Sequence, residues 1–445
     1  MIKQAFIRAN IPFGTTIESV FCHKFFENAS ASGWTKQELQ GDFLLKHINT
    51  TFANNVVCFS KKCENLNVSI PIENPKDHSA TYLYALPISE VQVYLFDTGI
   101  GFCSFHFPYD SDTDEYIMAD CCATLHCSVL HSNRIHGKPV VYKDGETYLS
   151  CLANQFLDEL LGETYCLFHT SSDTSLRRIN MFSVVLCDTC KSDSDKKTYE
   201  DLCYRLANAY DTRGGKLPSR GWDFFHQQDY IRWNFSNRGC AVVANLTGVE
   251  ENDNFLKDRW FFSAKSNHFY IYLMVLHQKT AIYHYLDSIA EDPDKSQLHF
   301  TQKELLDFNS KYIFSIVSDE QNVQTVYLRL KETTNVDELH TELLEQLKYM
   351  FDYAQVETDK ASEAENHKLT LISTVVSTVC SVSIIFDSIS LFTEHGYTFG
   401  FHSTGSILFT GVIVLEIILF LLILILLVKK KKLKIKQNKK NRKSK

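Results

Sequence analysis

Six hydroxyl residues near the C-terminal end carry the most suggestive spacing in the chain: Thr370, Ser373, Thr374, Ser377, Ser381 and Ser388. At helical periodicity they fall within about 60° of one line. Hydroxyls aligned on one face of an apolar helix either pack against neighbouring helices or line a wet path. Spread along a whole span, they favour a pore lining. Asp387 sits one position off the stripe, where a ring of carboxylates would attract cations at a pore mouth. Glu416 interrupts a second apolar run, and an acid at that depth is by default functional; the alternative is a protonated carboxyl bonded to a hydroxyl of the first run. Upstream, Asp337 to His367 holds nine acids against two lysines. Such a run is either a solvated helix face or a set of cation ligands between packed copies, with Glu357, Asp359 and Glu363 as the candidate metal ligands.

Catalytic patterns are absent. The chain has no Walker A loop, no G-x-G-x-x-G after a strand, no H-E-x-x-H and no G-x-S-x-G elbow. Cys187 and Cys190 have C-x-x-C spacing without a second pair at zinc-ribbon distance. Cys122 and His126 share a helix face beside Cys121 and Cys127, a pattern met more often in buried thiols than in metal sites. Asp110, Asp112 and Asp114 begin like an EF-hand but lack its glycine and its closing glutamate. Arg213, Gly214, Gly215 and Lys216 read as a surface turn before a phosphate cradle. An enzyme is not expected.

The elements that must position the stripe are two apolar runs, 369–392 and 406–428. Leu369–Phe386 is eighteen residues without a charge, and Ser406–Val428 is twenty-three with one. Each has the length of a spanning helix, which needs about 20 residues. The tail 429–445 carries eleven basic residues and no acid, while the whole chain has net charge −8, so the rest is strongly acidic. Basic clusters beside a membrane helix stay cytoplasmic, which places both termini inside. The tail's other reading, nucleic-acid binding, is not adopted. Fourteen cysteines in 445 residues fall below disulfide-scaffold density, and no apolar leader opens the chain, in keeping with a reducing compartment.

Before the first run lies a long helix without Gly or Pro from Val336 through His395. Leu339, Leu343, Leu347, Met350, Ala354 and Ala361 form an apolar seam suited to a coiled coil. Residues 1–300 read as mixed α/β. Strands are expected at Ile2–Ala9, Val91–Phe96, Phe102–Phe107, Phe182–Leu186 and Ala241–Leu246. Helices are expected near Ile17–Asn28, Lys36–Thr51, Tyr148–Leu161, Tyr199–Tyr210 and Asn254–Ile289. The stretch HFYIYLMVLHQ within the last of these is too short to span and is expected in the core.

This layout resembles the CorA metal-ion transporter family: an α/β cytoplasmic domain (1–300), pre-stalk and stalk helices (301–368), a membrane hairpin (369–428) and a basic cytoplasmic tail (429–445). The segment from Phe308, FNSKYIFSIVSDEQNVQTVYLRLKETTNVDELHTELLEQLKYMFDYAQ, is similar to the pre-stalk region of divergent members. The resemblance implies a homopentamer in the cell (plasma or inner) membrane, with the first membrane helix lining the pore. It further implies a divalent metal cation, Mg2+ by type, as transported or regulatory ion, with gating by the cytoplasmic domain. The family's Gly-Met-Asn filter signature is missing. No Met follows Met350, and the loop offers Tyr397, Thr398, Phe399, Gly400 and Phe401 instead, so Tyr397 and Gly400 are only candidate pore-mouth positions. Relatives without the signature include zinc-handling transporters and membrane effectors of bacterial antiviral defence gated by a nucleotide. The expectation is therefore a CorA-like pentameric channel or transporter. The alternative is a ligand-gated, weakly selective effector taking a small nucleotide in its cytoplasmic domain, with lipid and self as partners.

Overall fold

A computed structural model describes residues 2–15, 29–39, 41–73, 81–109, 115–130, 137–143, 145–162, 164–168, 179–212, 224–291 and 295–394, with scattered positions from 404 to 418. The strands are β1 (Ile2–Thr15), β2 (Thr35–Gln37), β3 (Val56–Glu73), β4 (Thr81–Phe96), β5 (Ile100–Tyr109), β6 (Val140–Tyr142), β7 (Gly145–Thr147), β8 (Tyr165–Leu167), β9 (Asn180–Cys187), β10 (Phe225–Gln228), β11 (Ile231–Phe235) and β12 (Gly239–Asn245). The helices are α1 (Lys46–Asn55), α2 (Glu115–His126), α3 (Leu149–Leu161), α4 (Asp193–Asn208), α5 (Glu250–Asn254), α6 (Phe261–Glu291), α7 (Lys295–Tyr312), α8 (Gln321–Thr334) and α9 (Val336–Glu394). A π-helical stretch, Phe255–Trp260, leads from α5 into α6. The chain divides into two compact units, Met1–Tyr349 and Met350–Lys445. All twelve strands and helices α1–α8 lie in the first.

The strands form one 12-stranded mixed sheet in the order β10-β11-β12-β9-β1-β5-β4-β3-β6-β7, with β2 on β3 and β8 on β1. β9 and β12 run parallel, Val184 opposite Val242, while β1, β5, β4 and β3 are antiparallel neighbours. β9 and β12 are buried along their whole length, as strands covered on both faces must be. On one face, Met181, Val185, Ala241 and Val243 join a core with α2, α3 and α4. On the other, Phe182 packs against Phe269 and Tyr272 of α6 at ring distances of 5.4 and 5.3 Å. α6 is buried from Ile271 to Ile282, polar His277, Gln278, Lys279 and Thr280 included, so HFYIYLMVLHQ is core.

The α6 face also carries a polar centre. Arg8 of β1 is 6% exposed. Its guanidinium bonds Gln92 Oε1 (3.1 Å), the Tyr94 hydroxyl (3.0 Å) and the Lys265 carbonyl (3.0 Å), and lies 3.8 Å from the Phe269 ring centre. Across the ladder from Arg8 stands His106, paired with Glu90 at 3.2 Å. Burial, reinforced by Arg8, pushes His106 down to about 3. Burial opposes the Glu90 charge, but hydrogen bonds from His106 and Ser60 outweigh it and hold that carboxyl at about 2. Burial also pushes His268 to about 4 and His277 to about 3.

Several expectations are corrected here. Among the described residues no helix is long and apolar enough to cross a membrane. Hydroxyls at Thr370, Ser373, Thr374 and Ser377 interleave with the apolar residues of α9. The described residues build a large mixed-sheet domain with helices. The CorA-like architecture of an α/β domain, helical stalk and transmembrane hairpin is overturned. So are the characters that went with it: membrane protein, ion channel, metal-ion or magnesium transport, homopentamer and coiled coil. The multi-pass location in the cell membrane is overturned as well. The second expected span, 406–428, lies largely outside the described residues. The seam is corrected too, because Leu343 (0% exposed) and Leu347 (4%) are buried within the sheet-bearing unit instead of facing a second stalk. Lys36–Thr51 is not one helix, since β2 and α1 divide it. The expected helix Ile17–Asn28 lies outside the described residues.

Two outcomes check this packing. Leu343→Asp should destabilise the domain by about 3 kcal/mol or more in urea unfolding; unchanged stability with a smaller assembly would return the seam to an intersubunit role. The three neutral, buried histidines should make the domain acid-sensitive. Their folded values lie below the unfolded value of about 6.5, so their stabilisation is complete above that pH and is lost as pH falls toward 3–4. Each contributes a slope of about 1.4 kcal/mol per pH unit across that window. His277→Phe should therefore flatten the urea-unfolding slope between pH 6 and 5 by one proton's worth; an unaltered slope would show that His277 protonates in the folded state.

Candidate functional site

At the β10 edge of the sheet a cleft of about 230 Å3 opens between α4, the β10–β11 hairpin and α8. Tyr204 and Asn208 reach it from the last turns of α4, four residues apart and hence on one helix face. Arg329 and Thr333 reach it from α8 with the same spacing, and Phe225, Asn234 and Phe235 come from the hairpin. α4 is fixed at its start by Ser192, whose hydroxyl accepts from the Asp195 amide, and ends at Ala209 in a left-handed conformation (φ 51°).

The walls are partly pre-organised. Asn208 Nδ2 donates to the Tyr204 carbonyl (2.9 Å) and to Asn234 Oδ1 (3.2 Å), tying the end of α4 to β11. Arg238 donates to the Asn208 carbonyl at 3.1 Å and lies 5.1 Å from the Tyr210 ring centre. Tyr210 in turn sits 6.1 Å from Tyr204. Burial, followed by the neighbouring Tyr210, raises the Tyr204 hydroxyl. Phe235 stacks on buried Trp233 with ring centres 6.0 Å apart and planes 11° apart. Arg329 pairs with Glu332 at 3.4 Å, with side chains 41% and 72% exposed. A pair so exposed is worth little.

This set can hold a flat ring against aromatic faces, bond its polar edge with two side-chain amides and pair one anionic group with a guanidinium. None of the described residues that line the cleft is a His, Cys, Asp or Glu.

The residues singled out from sequence lie elsewhere, along α9 and beyond. Thr370 and Thr374 turn their hydroxyls back onto the Asn366 and Thr370 carbonyls at 2.7 Å. Ser373 and Ser377 are exposed, as is Asp387. The side chains of Ser381, Ser388 and Glu416, and the positions Tyr397 and Gly400, lie outside the described residues. Asp359 and Glu363 are exposed on α9, and the Glu357 side chain is not among those described. Among the described residues no group of three or more His, Cys, Asp or Glu is placed to hold a metal ion.

The cysteine cluster on α2 is a packed core. Cys122 meets Ser183 Oγ at 3.6 Å, His126 Nδ1 meets the Ile179 carbonyl at 2.6 Å, and burial pushes the Cys122 thiol up to about 12. The segments holding Asp110, Asp112, Asp114 and Arg213–Lys216 lie outside the described residues. Comparison with family models, curated proteins and solved structures gives no match.

Proposed function

We propose that the chain is a regulatory binding module, not an enzyme, and that the cleft beside α8 takes a small nucleotide. The observation that carries this reading is the convergence of three aromatic rings, two amides and one arginine on a single cleft of about 230 Å3. That is below the roughly 300–1,000 Å3 of sites for drug-sized ligands, so one base with its sugar fills it and a phosphate reaches Arg329 at the mouth. Base stacking on an aromatic side chain is worth about 1–3 kcal/mol, and an arginine–phosphate bond adds both strength and orientation. Asn208 and Asn234 supply side-chain amides that suit the donor and acceptor edge of a base. The sensing half of the sequence expectation needs only such a site; the transport half depends on membrane spans and is set aside with them.

Titration calorimetry with AMP and adenosine tests the reading. Arg329→Ala should weaken AMP about tenfold or more and leave adenosine nearly unchanged, because a hydrogen bond to a charged group is worth about 1.5–3 kcal/mol. Tyr204→Ala should weaken both ligands about equally. Absence of AMP binding at millimolar concentration, or equal losses for AMP and adenosine in Arg329→Ala, would reject it.

A further inference from the structure

The α6 face of the sheet carries four buried polar atoms that no group among the described residues satisfies: Arg8 Nε, Asn10 Oδ1, Ser104 Oγ and His106 Nε2. Their residues are 6%, 0%, 0% and 2% exposed. Register makes them neighbours. Arg8 faces His106 across the β1–β5 ladder, and two residues along Asn10 faces Ser104. Alternate residues of a strand point to one side. All four side chains therefore stand together on the side where Arg8 meets the Phe269 ring and the Lys265 carbonyl. Buried polar groups are bonded with few exceptions, and four exceptions on two adjacent rungs call for one common partner.

The contacts already made fix what each atom offers. Asn10 Nδ2 donates to the Asn180 carbonyl at 3.0 Å, so its Oδ1 is a bare acceptor. His106 Nδ1 lies 3.2 Å from the Glu90 carboxylate, which only accepts, so the ring proton sits on Nδ1 and Nε2 presents a lone pair. Arg8 Nε–H only donates, and the Ser104 hydroxyl does either. An anion drawn to Arg8 would meet the lone pairs of Asn10 and His106, and a metal cation would meet Arg8 itself. The charge of Arg8 is already offset by that of Glu90, so an ion of either sign would add uncompensated charge to a buried place. A small neutral molecule that both donates and accepts suits all four atoms.

We infer that the two rungs form a site for internal water, one molecule on each. Directly facing residues have Cβ atoms about 4.5–5.5 Å apart, and one water making two bonds of about 2.8 Å spans such a gap. On the first rung the water accepts from Arg8 Nε and donates to His106 Nε2. On the second it donates to Asn10 Oδ1 and bonds Ser104 Oγ. Glu90, at the edge of the centre with its side chain 25% exposed, is where the site meets solvent. The site hydrates the one edge of the buried guanidinium that the protein leaves unbonded, and it is independent of the cleft.

A crystal structure of the full chain that resolves ordered water tests this. Density is expected within hydrogen-bonding distance of both Arg8 Nε and His106 Nε2, and of both Asn10 Oδ1 and Ser104 Oγ; its absence overturns the site. Thermal unfolding gives a second readout. Ser104→Ala removes a hydroxyl that has no protein partner, so in a dry core Tm would stay or rise. With water bonded there, Tm should fall by about 1–3 °C, and an unchanged or raised Tm overturns the second rung. Should that variant not fold, the density in the unsubstituted chain decides alone. Exchanging sodium chloride for sodium gluconate at fixed ionic strength should leave Tm unmoved. A rise specific to chloride would give the site to an anion on Arg8 and overturn the assignment to water.

Discussion

The structure turns on a buried cation in its central strand. Arg8 sits in the middle of β1, and among the described residues no carboxylate pairs with it. Its charge is spread over an amide, a phenol, a backbone carbonyl and the face of Phe269. An arginine removed from water and left without an anion is costly, and it persists only where neutral partners are fixed in place. Those partners come from β4 and α6, so the guanidinium ties the central strand across β5 to β4 and to the helix that covers them. Position 8 decides where α6 lies, because the Lys265 carbonyl and the Phe269 ring must both meet one planar group.

With α6 placed, the contacts on that face are set in turn. His277, two turns beyond Phe269, stacks on Phe96 at 3.8 Å and meets Thr98 at 2.8 Å in the β4–β5 turn. Asp97 of the same turn receives Tyr312 at 2.5 Å and Lys311 at 2.8 Å from α7. Gln278, the next residue along α6, holds Tyr327 of α8. A short polar chain thus runs from the sheet through α6 into α7 and α8, embedded in packed aromatic rings. Burial keeps His277 neutral, so this chain relies on shape and hydrogen bonds and loses integrity when acid forces a charge into it.

Much of this fold was legible in the sequence wherever apolar pattern and element length agreed. Val91–Phe96 and Phe102–Phe107 around DTGIG form the β4–β5 hairpin, with Gly99 at φ 79°. The core reading of HFYIYLMVLHQ came from its being apolar yet His-bounded and too short to span. Long arms such as β3 were harder to see. Lys61, Lys62, Glu64 and Asn65 break its alternation at an irregular register between Lys62 and Leu66, and pairing with β4 overrides that local composition. The helix near 36–51 failed because Gly41 and the β2–β3 ladder divide it. The seam at Leu339–Leu347 has the spacing of a coiled coil, but periodicity shows only that one face is buried, not what buries it. The cleft left no sequence signal, since Tyr204, Asn234 and Arg329 come from three elements and meet only through the sheet's edge.

The cleft's position is itself explained by the topology. In open α/β sheets, ligands gather outside the carboxyl ends of adjacent parallel strands whose connections leave on opposite faces. β9 and β12 are such a pair, leading to α4 on one face and α6 on the other. At their carboxyl ends the chain fills the crevice with its own groups. Asp253 accepts from the Thr247 amide and hydroxyl and from the Gly248 amide, while Lys3 pairs with Asp188. At the opposite end, β11 runs antiparallel to β12, and the short edge strand β10 leaves the ends of α4 and α8 facing each other across open space. Binding chemistry there draws on side chains from both helices.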